Sequence, residues 1–433
     1  MASESVVKVD MELLTASVTS LLDTLPVDPS NSYTACIYRV SEKPRKANEA
    51  AYTPRLVSIG PLHRDKSQLH GMESYKMRCL QNFYVRFGIE LKELLGFVAR
   101  EESSVRGCYE DTISLSKEKL SEMILLDGVF IVEIFLKNHF FQFRERSDTI
   151  FENRWIWNDL LHDLMLLENQ LPMNVAKGLL RFVDPSFMDE LTFYDLAHEF
   201  FKNVGNTEKL PLTEHCCKAR HFVEFLLFLH QPRHWRDQPL SPTTKFEYTH
   251  SATELKQAGV EFCCGNGSML FDVRFRNGEL KIPSLLVNDS TETFFRNIIA
   301  FEQCSYHSRD ITSYVIFMDG LINTREDVVL LVNCGAIRNE LGEDEAVADL
   351  FNNLHKEIMT DVSDFYFAEL CVDVNEYSRD FFHELKARCF KWGRVLRHDY
   401  FSNPWAVISV IAAGLLLGLK IIQAVCSIIQ VKH

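Results

Sequence analysis

The sequence predicts a mainly α fold with a small β-meander or hairpin, an α+β body, ending in a single C-terminal transmembrane helix. Three observations predict it. Apolar residues recur at helical spacing over most of the chain. Near Val260–Val287 the pattern changes to short runs, VEFCC, MLFDVRF and ELKIPSLLV, separated by Gly-Asn-Gly and Asn-Gly. Trp405–Val431 is apolar apart from one lysine and a thin polar set.

Met11, Leu14, Val18, Leu21, Leu22 and Leu25 fall at intervals of three and four, an amphipathic helix within residues 1–30 that Pro26 and Pro29 end. A body over 31–402 follows, divided into a helical part (31–230), a loop (231–250) and a mixed α/β part (251–402). Cys36 to His63 reads as extended pieces and turns, punctuated by Pro44, Pro54 and Gly60-Pro61. Helical periodicity resumes from Glu73 to about Arg100. Met123–Leu136 and Leu160–Pro172 are apolar nearly all round, as core helices are. Helices continue through Pro185–Val204 and His221–His230. Pro232, Pro239 and Pro242 mark the loop. Beyond the β segment, helices are expected over Thr291–Cys304, Ile311–Asn323, Glu343–Asp361 and Asp364 to about His398.

The anchor is assigned to 403–431. About 20 apolar residues span a hydrocarbon core about 30 Å thick, and this run is long enough with some tilt. Lys420 lies about 22 Å along the axis from Trp405, near enough to the far surface for its stem to snorkel. With Gln423, Ser427 and Gln430 it forms a polar stripe. Gly414 and Gly418 make a Gly-x-x-x-Gly step that would admit a second helix, a route to a homodimer.

Net charge is −14, and no Lys/Arg-rich run occurs outside the segment before the anchor. Nucleic-acid binding, which needs a basic surface, is therefore not expected. No basic start and apolar stretch marks a secretory signal at the N-terminus. Lys386, Arg388, Lys391, Arg394 and Arg397 precede the anchor and Lys432 follows it, which places the body on the cytosolic side. The same cluster suits anionic lipid heads. Twelve cysteines without a CxxC pair, in a large chain on that side, are expected to be reduced and mostly buried. The sequons at Asn266 and Asn288 would be silent there.

Taken in order, CIYRV (Cys36–Val40), YTPRLVSIGPLH (Tyr52–His63), GMESYKMRCL (Gly71–Leu80), MILLDGVFIVEIFL (Met123–Leu136), LMLLENQLP, SATELKQAGVEF (Ser251–Phe262), RNIIAFEQC (Arg296–Cys304) and YFSNPWAVISVIAA (Tyr400–Ala413) carry a family signature. The set resembles the plant domain of unknown function 247, also grouped as uncharacterised protein family 0481. Lys420 departs from it, since that family's anchor looks uniformly apolar. The resemblance implies a mostly helical plant protein with one C-terminal membrane helix and no established catalytic activity. Some members are associated with self-incompatibility in grasses, others with stress or defence. It offers no catalytic residue to carry over.

The residues themselves name no reaction. Cys264-Gly-Asn-Gly-Ser268 lacks the spacing of a phosphate loop and reads as a hairpin turn. Ser58 and His63 could meet in a turn, but no third residue is indicated. His215, Cys216, Cys217 and His221, with His230 and His234, are zinc-ligand types without a recognised spacing. Asp127, Glu133 and Glu168 sit in strongly apolar segments, as do Arg296 and Glu302. Burial there would raise a carboxyl pKa, yet buried charges more often pair and fix packing. These five are the candidate buried polar network. Glu168-Asn169-Gln170 reads as a helix-terminating group.

The expectation is a membrane-anchored, non-catalytic interaction or recognition protein, acting in signalling such as self-incompatibility or defence. It would bind an unidentified protein partner and membrane lipid, with the plasma membrane favoured and no cofactor or metal. The alternative is a membrane-associated, hydrolase-like enzyme using the buried carboxylates or Ser58 and His63.

Overall fold

The computed structural model describes residues 35–188, 191–231, 247–267, 269–305, 309–356, 358 and 365–379, with isolated positions at 15, 16, 19, 20, 416, 419 and 420. Most of the N-terminal helix, the 231–250 loop and the anchor lie outside them, as do Trp405, Gly414 and Gly418. Leu416, Leu419 and Lys420 are helical and exposed. Among the described residues no helix is long and apolar enough to cross a membrane.

The chain is mainly helical with two small sheets, and it divides into two units. The first comprises the described residues up to Lys202 with Leu212–Leu229 and a short piece after Glu302. The second comprises Asn203–Pro211, His230–Glu302 and the described residues from 309 onward.

In the first unit the longer helices are α1 (Glu73–Phe87), α2 (Leu91–Gly107), α3 (Lys117–His139), α4 (Arg154–Leu164), α5 (Met173–Leu180), α6 (Phe193–Phe200) and α7 (Phe222–His230). The α3 helix is the hub, packing against α1, α2, α5 and α6. Its Met123–Lys137 stretch is buried at every position, which is why no polar face was visible in the sequence. The Ser116 hydroxyl accepts from Lys119 N and starts it. Gly128 lets α5 approach, since a Cβ there would meet Leu179 at 2.6 Å. Phe135 anchors an aromatic cluster, with ring centroids 5.0 Å from Phe200, 5.5 Å from Phe222 and 5.6 Å from Phe193.

Two helical expectations need correction. The run from Glu73 to Arg100 is two helices, because Gly88 turns left-handed (φ +65°) and its N–H closes on Tyr84 O. The run Leu160–Pro172 is helical only to Leu164. Its remainder is buried but irregular, because Asn169 and Gln170 supply the polar contacts a continuing helix would have supplied.

The second unit holds α8 (Ala252–Gln257), β1 (Glu261–Gly265), β2 (Arg274–Arg276), β3 (Glu279–Pro283), β4 (Leu285–Val287), α9 (Thr291–Cys304), α10 (Asp310–Leu321), α11 (Arg325–Asn333), β5 (Ile337–Asn339), α12 (Asp344–His355) and α13 (Ala368–Arg379). The expected hairpin exists: β2 and β3 pair antiparallel across Asn277-Gly278, both at positive φ, as a tight hairpin turn requires. The strands do not form a meander. β1 pairs parallel with β3, Phe262 opposite Leu280, so the order is β1-β3-β2. The glycine-rich stretch after Cys263 is therefore no hairpin turn; it leads away from β1 into a crossover. β4 pairs parallel with β5, a three-residue strand the sequence did not reveal.

Asp327 ties two helix starts together. It accepts Thr324 N at 2.9 Å and Thr324 Oγ1 at 2.9 Å in a capping box, and Thr253 N of α8 at 2.8 Å. Phe367 stacks on Phe271 and lies 4.8 Å from Phe317, which fastens the start of α13 to α10.

Candidate functional site

The site is a buried polar network in the first unit, built around the irregular stretch from Tyr52 to His63. A chain segment without regular structure cannot bury its amides unless side chains satisfy them. Here three acidic or amide side chains do so. Asp163, fully buried, accepts the N–H groups of Arg55, Leu56 and Val57 at 2.8, 2.7 and 2.8 Å. Asn169 Oδ1 accepts Ile59 N at 2.7 Å, and its Nδ2 donates to Val57 O and Asp163 O at 3.0 Å each. Asp127, on α3, accepts Gly60 N at 2.8 Å.

Lys76 closes the arrangement from α1. Its Nζ donates to Asp127 Oδ1 at 2.6 Å, Ser58 O at 2.5 Å and Glu73 Oε1 at 2.8 Å. Burial pushes the Asp127 carboxyl upward, while Lys76 and the Gly60 N–H pull it back; the net direction is up. Gly60 itself has φ +74°, and a Cβ there would lie 2.5 Å from Gln170 O and 2.6 Å from the Tyr109 hydroxyl. Glycine is required at that position.

Glu168 forms the second half. Its Oε1 accepts Val40 N at 2.7 Å and pairs with Arg45, and its Oε2 lies 3.3 Å from His63 Nε2. Burial would raise this carboxyl, but His63, Arg45 and the Val40 N–H outweigh it and hold it below the usual range. Burial lowers the His63 pKa, so the imidazole is neutral near pH 7. Gln170 finishes α4: its Nε2 donates to Leu164 O and Leu166 O at 2.8 Å each, taking up carbonyls a helix end leaves open. Its Oε1 accepts Phe222 N, at the start of α7.

The five candidates do not form one network. Asp127 and Glu168 share the 52–63 stretch. Glu133 is separate, pairing with Arg86 at 2.6 Å; burial, opposed by Arg86, moves its pKa up. Arg296 and Glu302 belong to the second unit. Arg296 pairs with Glu292 one turn earlier. Glu302 accepts Ile311 N, Thr312 N and Thr312 Oγ1 at 2.9, 2.8 and 2.6 Å, capping α10 from outside it. Burial pushes its carboxyl up to about 8 despite those donors.

Sequence reasoning missed Lys76 and Asp163. Lys76 carries no distinguishing signal, since lysine on an amphipathic helix ordinarily faces water. Asp163 sits among leucines as Asp127 does, and the same argument would have found it.

The other chemical candidates disperse. Ser58 Oγ is buried without a hydrogen-bond partner, and no hydrogen bond joins it to His63. His215 packs on Phe228, Cys216 Sγ lies 3.3 Å from Thr213 Oγ1, and His230 bonds Gly205 O. His234 lies outside the described residues. Among the described residues no group of three or more His, Cys, Asp or Glu side chains is placed to hold a metal ion. The ten described cysteines are free, but only Cys36, Cys79, Cys216 and Cys371 are buried, so the expectation of mostly buried thiols fails.

The sequence model of the domain of unknown function 247, described as a plant protein of unknown function, matches residues 37–419. The chain belongs to this family. Similar members include the UPF0481 protein At3g47200 of Arabidopsis thaliana, 28% identical over 94% of this chain and 89% of that one. A second UPF0481 protein of the same plant, At3g02645, is 25% identical over 90% of this chain and 89% of its own length. No solved structure matches. Five stretches that carry the domain of unknown function 247 resemblance meet in the network: Val40, Ser58 to His63, Lys76, Asp127 and Glu168-Asn169-Gln170 come from one each.

Proposed function

We propose that this plant protein is a non-catalytic, membrane-anchored interaction protein whose body binds another protein at the cytosolic face, in signalling such as recognition or defence. One observation carries the non-catalytic part. The carboxylates of the first unit's core are engaged in holding chain: Asp163 takes three backbone amides, Asp127 one amide and Lys76, Glu168 one amide and Arg45. Asp163 and Asp127, with both oxygens engaged, have little capacity left for a substrate proton, and Glu168 is held through Oε1. The anchoring part is supported by the length and apolarity of 403–431 and by the basic residues before it.

The hydrolase alternative draws less support. Ser58 and His63 are 4% and 3% exposed, and a nucleophile needs both access and a base in hydrogen-bond reach. Treating the intact protein with a fluorophosphonate probe separates the two readings. No labelling of Ser58, together with a cross-linked protein partner in the native membrane that Ser58→Ala retains, is the expected result. Probe attachment abolished by Ser58→Ala would establish the hydrolase instead.

A further inference from the structure

Cys36 and Cys108 face one another across a short parallel bridge. Ile37 is bridged to Tyr109, so Cys36 and Cys108 stand opposite each other in the same register. Cys36 N and Ile37 N donate to Cys108 O at 2.8 and 2.9 Å, and Glu110 N donates to Ile37 O at 3.0 Å. Backbones joined by such N–H···O bonds lie about 4.7–4.9 Å apart in a sheet, and a disulfide spans Cα separations of about 4.4–6.8 Å. Here the bridge is isolated, with Cys108 closing the end of α2. Both thiols are free, Cys36 fully buried and Cys108 half-buried.

The two sulfurs also differ in character. The neighbouring thiol is the largest influence on each, raising Cys36 and lowering Cys108, whose Sγ lies 3.3 Å from Ser104 O. Burial opposes the lowering at Cys108 and the Arg220 guanidinium adds to it, with a net downward direction. Glu224 fixes Arg220 in place, Nη2 to Oε1 at 2.7 Å. The more accessible thiol is thus the better nucleophile and the buried one lies beside it.

We propose that Cys36 and Cys108 form a reversible disulfide when hydrogen peroxide reaches the protein. The Cys108 thiolate attacks one peroxide oxygen; the O–O bond breaks, the departing hydroxide takes a proton to become water, and Cys108 becomes a sulfenic acid. The Cys36 thiol then displaces that hydroxyl, forming the S–S bond and a second water. A dithiol reductant returns both thiols and is itself oxidised to a disulfide. Such a transient bond is the form expected where the surroundings are reducing.

The link would bear on the network directly. Four residues after Cys36, Val40 donates to Glu168, and next to Cys108, the Tyr109 hydroxyl donates to Gln170 O at 2.8 Å. Oxidation would fasten these two contacts to one another covalently.

The test uses the full chain in detergent, exposed to hydrogen peroxide, alkylated with N-ethylmaleimide, digested without reductant and mapped by mass spectrometry. The expected result is a Cys36–Cys108 peptide that forms ahead of any other pairing and disappears with dithiothreitol. Cys36→Ser should leave Cys108 as a sulfenic acid trapped by dimedone. Cys108 that stays fully alkylatable in the wild type, or that links to another cysteine, would overturn the proposal.

Discussion

Lys76 Nζ lies 2.6 Å from Asp127 Oδ1, and both side chains are 1% exposed. The two helices that carry them, α1 and α3, thereby share one buried charge pair, which also holds Ser58 O and Gly60 N. Removing one partner of such a pair leaves the other charge stranded, a loss of about 3–5 kcal/mol. Lys76→Met should therefore lower the stability of the chain by that order in urea unfolding. Lys119→Met, which removes an exposed pair with Glu122, should cost about 0–1 kcal/mol. Equal effects of the two would show that the Lys76 pair is not what secures the segment.

Gly60 and Gly88 are both left-handed, but their surroundings differ. A Cβ at Gly88 meets nothing within 4 Å, whereas one at Gly60 runs into Gln170 O. Gly88→Ala should cost only the conformational penalty, about 1–2 kcal/mol. Gly60→Ala adds a clash with backbone that cannot rotate away, and it should cost clearly more, with slower or failed refolding. Circular dichroism melting of the two variants side by side decides it; similar midpoints would mean that the stretch from Ile59 to Pro61 is not held against Gln170.

Glu302 supplies a pH signature. Its folded pKa of about 8 exceeds its unfolded value of about 4.3, so between these values the folded chain holds a proton that the unfolded chain releases. Its contribution is complete below the unfolded value and is lost as pH rises through the folded one. Glu302→Gln, neutral at all pH, should gain stability relative to the wild type as pH goes from 5 to 9. A difference between the two that stays flat with pH would show that Glu302 is ionised throughout.

Much of the helical framework was legible because periodicity and buried runs are direct records of packing. Met123–Leu136 reads as a core helix and is one, and Thr291–Cys304 has the expected bounds. The stretch Leu160–Pro172 misled for a physical reason: burial makes a chain apolar whether or not it is helical. Only the cluster Glu168-Asn169-Gln170 betrays the irregular backbone that it serves. β5 was invisible because three residues cannot display alternation, and its pairing with β4 joins segments about fifty positions apart. Within the site, Asp127 and Glu168 stood out as charges among leucines. Their backbone partners did not, since Val40 N and Gly60 N, like the Ser58 carbonyl that Lys76 holds, carry no sequence identity.

The tether is the part of the functional reading on which the rest depends, and cell fractionation tests it most directly. The full chain expressed in plant cells should remain in the membrane pellet after high-salt washing, and a chain ending at residue 402 should appear in the supernatant with an unchanged urea midpoint. A truncated chain that stays in the washed pellet would contradict the account, because the C-terminal segment would then not be what holds the protein to the membrane.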